Sequence, residues 1–142
     1  MPLGKTKYVI GIIIITLVIV ACSYQEQEIK VFRRIGDENK YEVMKVITDK
    51  EQAQIVRKMI DNINWEIVKF QMERPPDYKF AFQPTNAEVD VKAIQYQLWI
   101  SPNKDKVGLL GGSRYYQLNK ENSAILFEIL TGEKISNANV NE

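Results

Sequence analysis

Cys22 is the only thiol in the chain, and there is no histidine to set beside it. Without histidine the usual proton shuttle near neutral pH is missing. Ser-His-Asp and Cys-His nucleophilic arrangements are thereby excluded, as are histidine-ligated zinc sites. What remains for acid–base work is a carboxylate pair, one member with a raised pKa. Glu66, Glu73 and Asp77 are the nearest candidates along the chain, and nothing in their spacing makes two of them converge. Charged residues flanking strands are ordinarily solvated, so the reading is of a protein without catalysis, without metal and without cofactor. Gly111-Gly112-Ser113-Arg114 has the composition of a phosphate loop. Such a loop must open a helix to aim its amides at an anion, and here a strand is expected to follow. Glycines that give a hairpin its positive φ explain the stretch better.

The thiol's surroundings are more telling than its reactivity. Residues 8–21 are uncharged, follow Lys5 and Lys7, and give way to a polar stretch after Cys22. A basic start, an apolar middle and small residues before the break make a secretory leader. As a helix this run spans about 21 Å, short of a hydrocarbon core of about 30 Å, so a permanent membrane span is the poorer reading. Ile19-Val20-Ala21-Cys22 resembles a bacterial lipobox, with Ile19 where leucine is preferred. That motif implies diacylglycerol, with acyl chains of the palmitate class, on the Cys22 sulfur and cleavage before it. The competing reading is a buried, idle cysteine. Two acyl chains anchor stably where one binds only marginally. The expected partner is therefore the membrane, at the outer face of a bacterial cell, reached through Cys22.

Cleavage leaves 121 residues, the 142 less a leader of 21, which is one ordinary domain. Losing Lys5 and Lys7 takes the net charge from +1 to −1. A near-neutral domain lacks the basic footprint that phosphate contacts demand, so nucleic acid is excluded as a partner.

The organisation expected is a leader over residues 1–21, a tether over 22–28, one domain over 29–132 and a disordered tail over 133–142. Residues 29–35 and 41–47 read as a hairpin turning at 36–39. Thr48 and Glu51 form a capping box, and Ala53, Val56, Met59, Ile60 and Ile63 recur at helical spacing, which predicts a helix over 49–64. Strands are expected at 66–72, at 78–83 after the turn Pro75-Pro76-Asp77, at 94–100, and as a hairpin over 107–110 and 114–118. Asn119 is placed to cap a last helix that presents Ile125, Leu126, Ile129 and Leu130 and stops at Gly132. The order β-β-α-β-β-β-β-β-α predicts an α+β domain, an antiparallel sheet of about six to seven strands with two helices on one face.

From Trp65 onward the chain reads "WEIVKFQMERPPDYKFAF", then "YQLWIS", then a glycine turn into "RYYQLNKENSAILFEIL". This succession resembles the small Bacillus-type lipoproteins carrying a YhfM-like domain. The resemblance spans residues 41–131, and Pro75-Pro76-Asp77-Tyr78 and Leu98-Trp99-Ile100 are its most distinctive pieces. It implies no assigned activity and carries over no catalytic residue.

Two alternative binding readings follow, an interaction surface read from strand parity and, in its place, a ligand pocket. Trp99 alternates with Leu98 and Ile100, so it should point away from the helices and be half exposed. Gln97, Tyr115 and Gln117 are expected on the same face, making a polar–aromatic patch for an envelope protein or component; the alternative is that the loop over 84–92 or the tail lies across it. The second reading is a small-ligand pocket between sheet and helices, lined by Tyr78, Phe80, Tyr96 and Tyr116. Asp77 and Tyr78 either face a ligand or simply hold a turn, with the turn favoured. Lys30, Arg33 and Arg34 lie near the anionic headgroups, but the acids among them favour a solvated mixed-charge strand.

Overall fold

The structure, a computed structural model, describes residues 27–67, 72–84 and 94–139. Cys22 and the leader lie outside the described residues, as does most of the strand expected at 66–72. Seven strands, β1 (Gln27–Arg34), β2 (Tyr41–Ile47), β3 (Glu66–Ile67), β4 (Tyr78–Pro84), β5 (Gln95–Ile100), β6 (Val107–Gly111) and β7 (Arg114–Gln117), form one sheet. Every pairing is antiparallel, in the order β2-β1-β4-β5-β6-β7-β3. Helices α1 (Lys50–Asp61) and α2 (Lys120–Thr131) pack on one face. The α+β architecture and its order are those the pattern predicts.

Alternation decides which side chains meet the helices. Ile29 and Val31 of β1, Phe80 and Phe82 of β4, Leu98 and Ile100 of β5, and Val107 and Leu109 of β6 are buried on one side. Val56 and Ile60 of α1 and Leu126, Phe127 and Leu130 of α2 close over them. Each such side chain, fully buried, contributes about 1.5–3 kcal/mol.

Local details depart from the expected ones. Asp49, not Thr48, caps α1, its carboxylate accepting from the amides of Glu51 and Gln52 at 2.9 and 3.1 Å. Adjacent Thr and Asp are both competent caps, and starting one residue later lets the charged acceptor meet the helix N-terminus. Helix α1 ends at Asp61 rather than 64, with Asn62 as its C-cap. Asn119 caps α2 through the Asn122 amide at 2.8 Å, and Gly132 ends it in the left-handed conformation. The buried face of α2 is rotated from the expected one: Phe127 is in the core, and Ile125 is exposed.

Two boundaries move as well. Gln27 and Glu28 already pair with Pro84 and Gln83, so the sheet takes up the last two residues of the expected tether. The tail is not wholly disordered: a 3-10 turn at Ile135–Asn137 follows α2, and Ile135 and Ala138 are buried in the core. Two small apolar contacts suffice to hold a short segment already tied to a helix end. Ser123 of α2 joins the layers, accepting the Val107 amide at 2.9 Å and donating to the Leu118 carbonyl at 3.3 Å.

Candidate functional site

The sheet face opposite the helices is formed by side chains of the other parity. One row across it runs Val43, Phe32, Lys79, Gln97, Leu110 and Tyr115, in successive strands β2, β1, β4, β5, β6 and β7. Val43 is 51% exposed, and Val46, in the neighbouring row beside Lys30, is 41% exposed. The Lys79 ammonium sits 4.0 Å above the centre of the Tyr41 ring and that of Lys30 5.7 Å from the centre of Phe32, so two cations are held against aromatic rings on this face. Tyr115 reaches diagonally over Gly108: a Cβ there would meet the phenol oxygen and lie 3.0 Å from two ring carbons. Gly108 is thus a seat for the ring, not a weak point of the strand. Burial raises the Tyr115 phenol pKa.

Of the residues expected here, Gln97, Tyr115 and Gln117 do lie on this face, Gln117 exposed and opposite Gly108. Trp99 does not belong to the accessible surface. Its parity is as expected, but it is only 5% exposed, and its indole N–H donates to the Arg74 carbonyl at 3.0 Å. The segment from Arg74 to Asp77 folds over that end of the face and covers the ring.

A buried ionic network holds this segment. Pro75 and Pro76 stiffen it and offer no amide donors. Asp77 follows, and its backbone joins two strands: its amide donates to Leu98 at 2.9 Å and its carbonyl accepts from Arg34 at 3.2 Å. The carboxylate takes the Ile100 amide at 2.8 Å on one oxygen and the Arg74 guanidinium at 2.9 Å on the other. Arg34 approaches the latter oxygen at 3.8 Å, and Arg74 also donates to the Ile100 carbonyl at 2.7 Å. The Tyr41 hydroxyl donates to Pro76 at 2.7 Å, and burial raises that phenol's pKa. A carboxylate taken from water costs several kcal/mol unless its lone pairs are met, and here they are. Asp77 is structural here, but through contacts other than the local turn expected of it: one oxygen takes the Ile100 amide on β5 and the other the Arg74 guanidinium.

Of the other acids singled out from the sequence, neither is drawn into this network among the described residues. Glu66 sits on β3, four strand spacings or about 19 Å from β4. That exceeds the ~10 Å limit of a glycosidase pair. Glu73 is exposed. Among the described residues no three ligating side chains cluster as a metal site.

The pocket expected between sheet and helices is filled by its own walls. Phe80 is fully buried and stacks on Tyr96 with centroids 5.2 Å apart; Trp65 stacks on Tyr96 at 6.1 Å. Tyr78 meets Phe127 edge-on at 5.7 Å. Burial raises the Tyr78 and Tyr96 phenol pKa values. These rings are core. Tyr116 lines a cavity of about 270 Å³ between the end of α1 and the start of α2, with Met59, Asn62, Ile63 and Asn122. That is below the 300 Å³ or so at which ligand sites begin.

The network of Arg34, Arg74 and Asp77 is the arrangement that sequence reasoning missed. Its local traces are an arginine at the end of β1 and an acid directly after two prolines. No curated protein and no solved structure matches the chain. The model of a family described as YhfM protein matches residues 25–136, from just before β1 to the 3-10 turn after α2. With that match covering the whole described sheet and both helices, the chain belongs to the YhfM protein family.

Proposed function

We propose that this YhfM-family chain is a small lipoprotein of the Bacillus type, anchored through diacylglycerol on Cys22 to the outer face of the bacterial cell membrane. There it acts as a non-enzymatic interaction domain for another envelope protein. The observation that carries the interaction reading is the helix-free sheet face, on which Val43, Val46, Phe32 and Tyr115 surround Lys79 and Gln97. Apolar and aromatic groups around a few polar ones are the composition of a binding surface. The anchor reading is supported by the leader pattern, and the family match starts at residue 25, beyond Cys22. Anchoring raises local concentration, so weak contact with a second anchored protein suffices.

Crosslinking on intact cells tests this. Wild type should recover neighbours that Val43→Asp and Tyr115→Ala lose while both variants keep the native melting transition, and Cys22→Ser should lose them by leaving the membrane. Identical neighbours from wild type and both face variants would refute the surface.

A further inference from the structure

The strand register fixes which elements share the end of the sheet where the tether arrives. β1 starts there at Gln27, opposite Pro84 at the end of β4. β5 starts there, as Gln95 pairs with Ala81. The β6–β7 turn lies there, as Gly111 pairs with both Tyr96 and Arg114. β3 ends there, as Ile67 pairs with Arg114. Among the described residues the two most exposed large apolar side chains are Ile67, 81% exposed, and Ile94, 64% exposed. Both occupy this one end: Ile67 closes β3, and Ile94 precedes β5.

We propose that this end of the sheet is seated in the interfacial layer of the lipid bilayer, with Ile67 and Ile94 buried among the headgroups. The inference rests on the anchor reading above and adds the orientation and the contact surface. Chain length commits the occupant. From Cys22 to Gln27 is five residue steps, at most about 18 Å when extended. The opposite end of β1, seven residues on, stands about 23 Å farther away. The tethered end is therefore the one held near the bilayer. Along that end Ile94 lies two strand spacings, about 10 Å, from β1, and Ile67 three spacings beyond Ile94. Two apolar contacts set apart along one edge resist rocking, as a single contact beside the tether would not. Arg114 and Glu66 are exposed nearby with opposite charges that offset one another. The sheet then stands off the membrane, and its open face looks sideways toward other anchored proteins.

The test uses the full lipidated protein in vesicles of phosphatidylethanolamine and phosphatidylglycerol in equal parts. Because acylation consumes the only native thiol, Ile67→Cys, Ile94→Cys and Asn39→Cys each accept one polarity-sensitive fluorophore; residue 39 lies in the turn at the far end. Vesicle flotation comes first. Labels at 67 and 94 should shift to the blue and be quenched by iodide at least about threefold less than at 39, as burial ~5–10 Å into the interface requires. Flotation with equal quenching at all three positions overturns this orientation and leaves the anchor standing. Protection that scales with protein-to-lipid ratio assigns the surface to a second copy and likewise overturns it. Failure to float overturns the anchor reading, and this inference with it.

Discussion

Replacing Asp77 separates a structural carboxylate from a ligand-facing one. Asp77→Ala takes from the Arg34 guanidinium, whose side chain is 7% exposed, the carboxylate it approaches at 3.8 Å, and takes from the Ile100 amide the oxygen it donates to. Breaking a buried pair from one side costs about 3–5 kcal/mol. The lost acceptor, worth about 1–3 kcal/mol on its own, is part of that total. Arg74, about 30% exposed, can turn toward water and so holds the loss near the lower figure. Against a total stability of roughly 5–15 kcal/mol, about 3 kcal/mol is a large share. For a domain of this size it lowers Tm by about 12 °C or more. Asp77→Asn keeps an oxygen for the Ile100 amide and loses only the charge, so it should fall between wild type and Asp77→Ala. Urea unfolding followed by tryptophan emission reads both, and the Trp99 indole, bonded to the Arg74 carbonyl, reports directly on the loop. The midpoint should drop with the slope unchanged. If Asp77→Ala unfolds within about 0.5 kcal/mol of wild type, as a surface substitution would, the network does not hold this end of the sheet.

Other perturbations separate neighbouring readings. Asp49→Ala should cost about 1 kcal/mol and Thr48→Ala under about 0.5 kcal/mol in urea unfolding, and the reverse order would restore the Thr48 cap. Gly108→Ala should cost about 1–3 kcal/mol in wild type by displacing the Tyr115 ring, and little when Tyr115 is already alanine; equal costs in the two backgrounds would place the ring elsewhere. Burial raises the phenol pKa of Tyr41, Tyr78, Tyr96 and Tyr115. Their folded values exceed the unfolded value of about 10, so the stabilisation is present below that pH and is lost as pH climbs through the folded values. An absorbance titration should show these phenols ionising above pH 10 and together with unfolding, and reversible titration near 10 in the folded state would contradict it.

Much of the architecture could be read from local pattern, and the misses share one physical cause. Alternation over Phe80 and Phe82, and over Leu98 and Ile100, reports a half-buried strand because both faces are sampled within a few residues. Asn119 and Gly132 bracket α2 because caps are local chemistry. Parity also placed Trp99 on the correct side. What parity does not contain is the loop that comes to lie on it, since Arg74 is 25 residues away and reaches the ring only after β4 and β5 pair. The expected pocket is a similar case: pattern marks Tyr78, Phe80 and Tyr96 as inward, but only packing decides whether inward rings enclose space or fill it. Asp49 displaced Thr48 because adjacent residues competed for one role. The tail was read from its polar composition, and Ile135 and Ala138 find their places because α2 delivers them to the core.

Whether a lipid on Cys22 holds this sheet at the membrane, as proposed, is measured directly by mass spectrometry of the native protein from bacterial envelopes. The predicted result is an N-terminal peptide that begins at Cys22 and carries diacylglycerol on sulfur. A chain that retains Met1 and a free Cys22 thiol would contradict the anchor, the orientation built on it, and the proposed meeting with other envelope proteins.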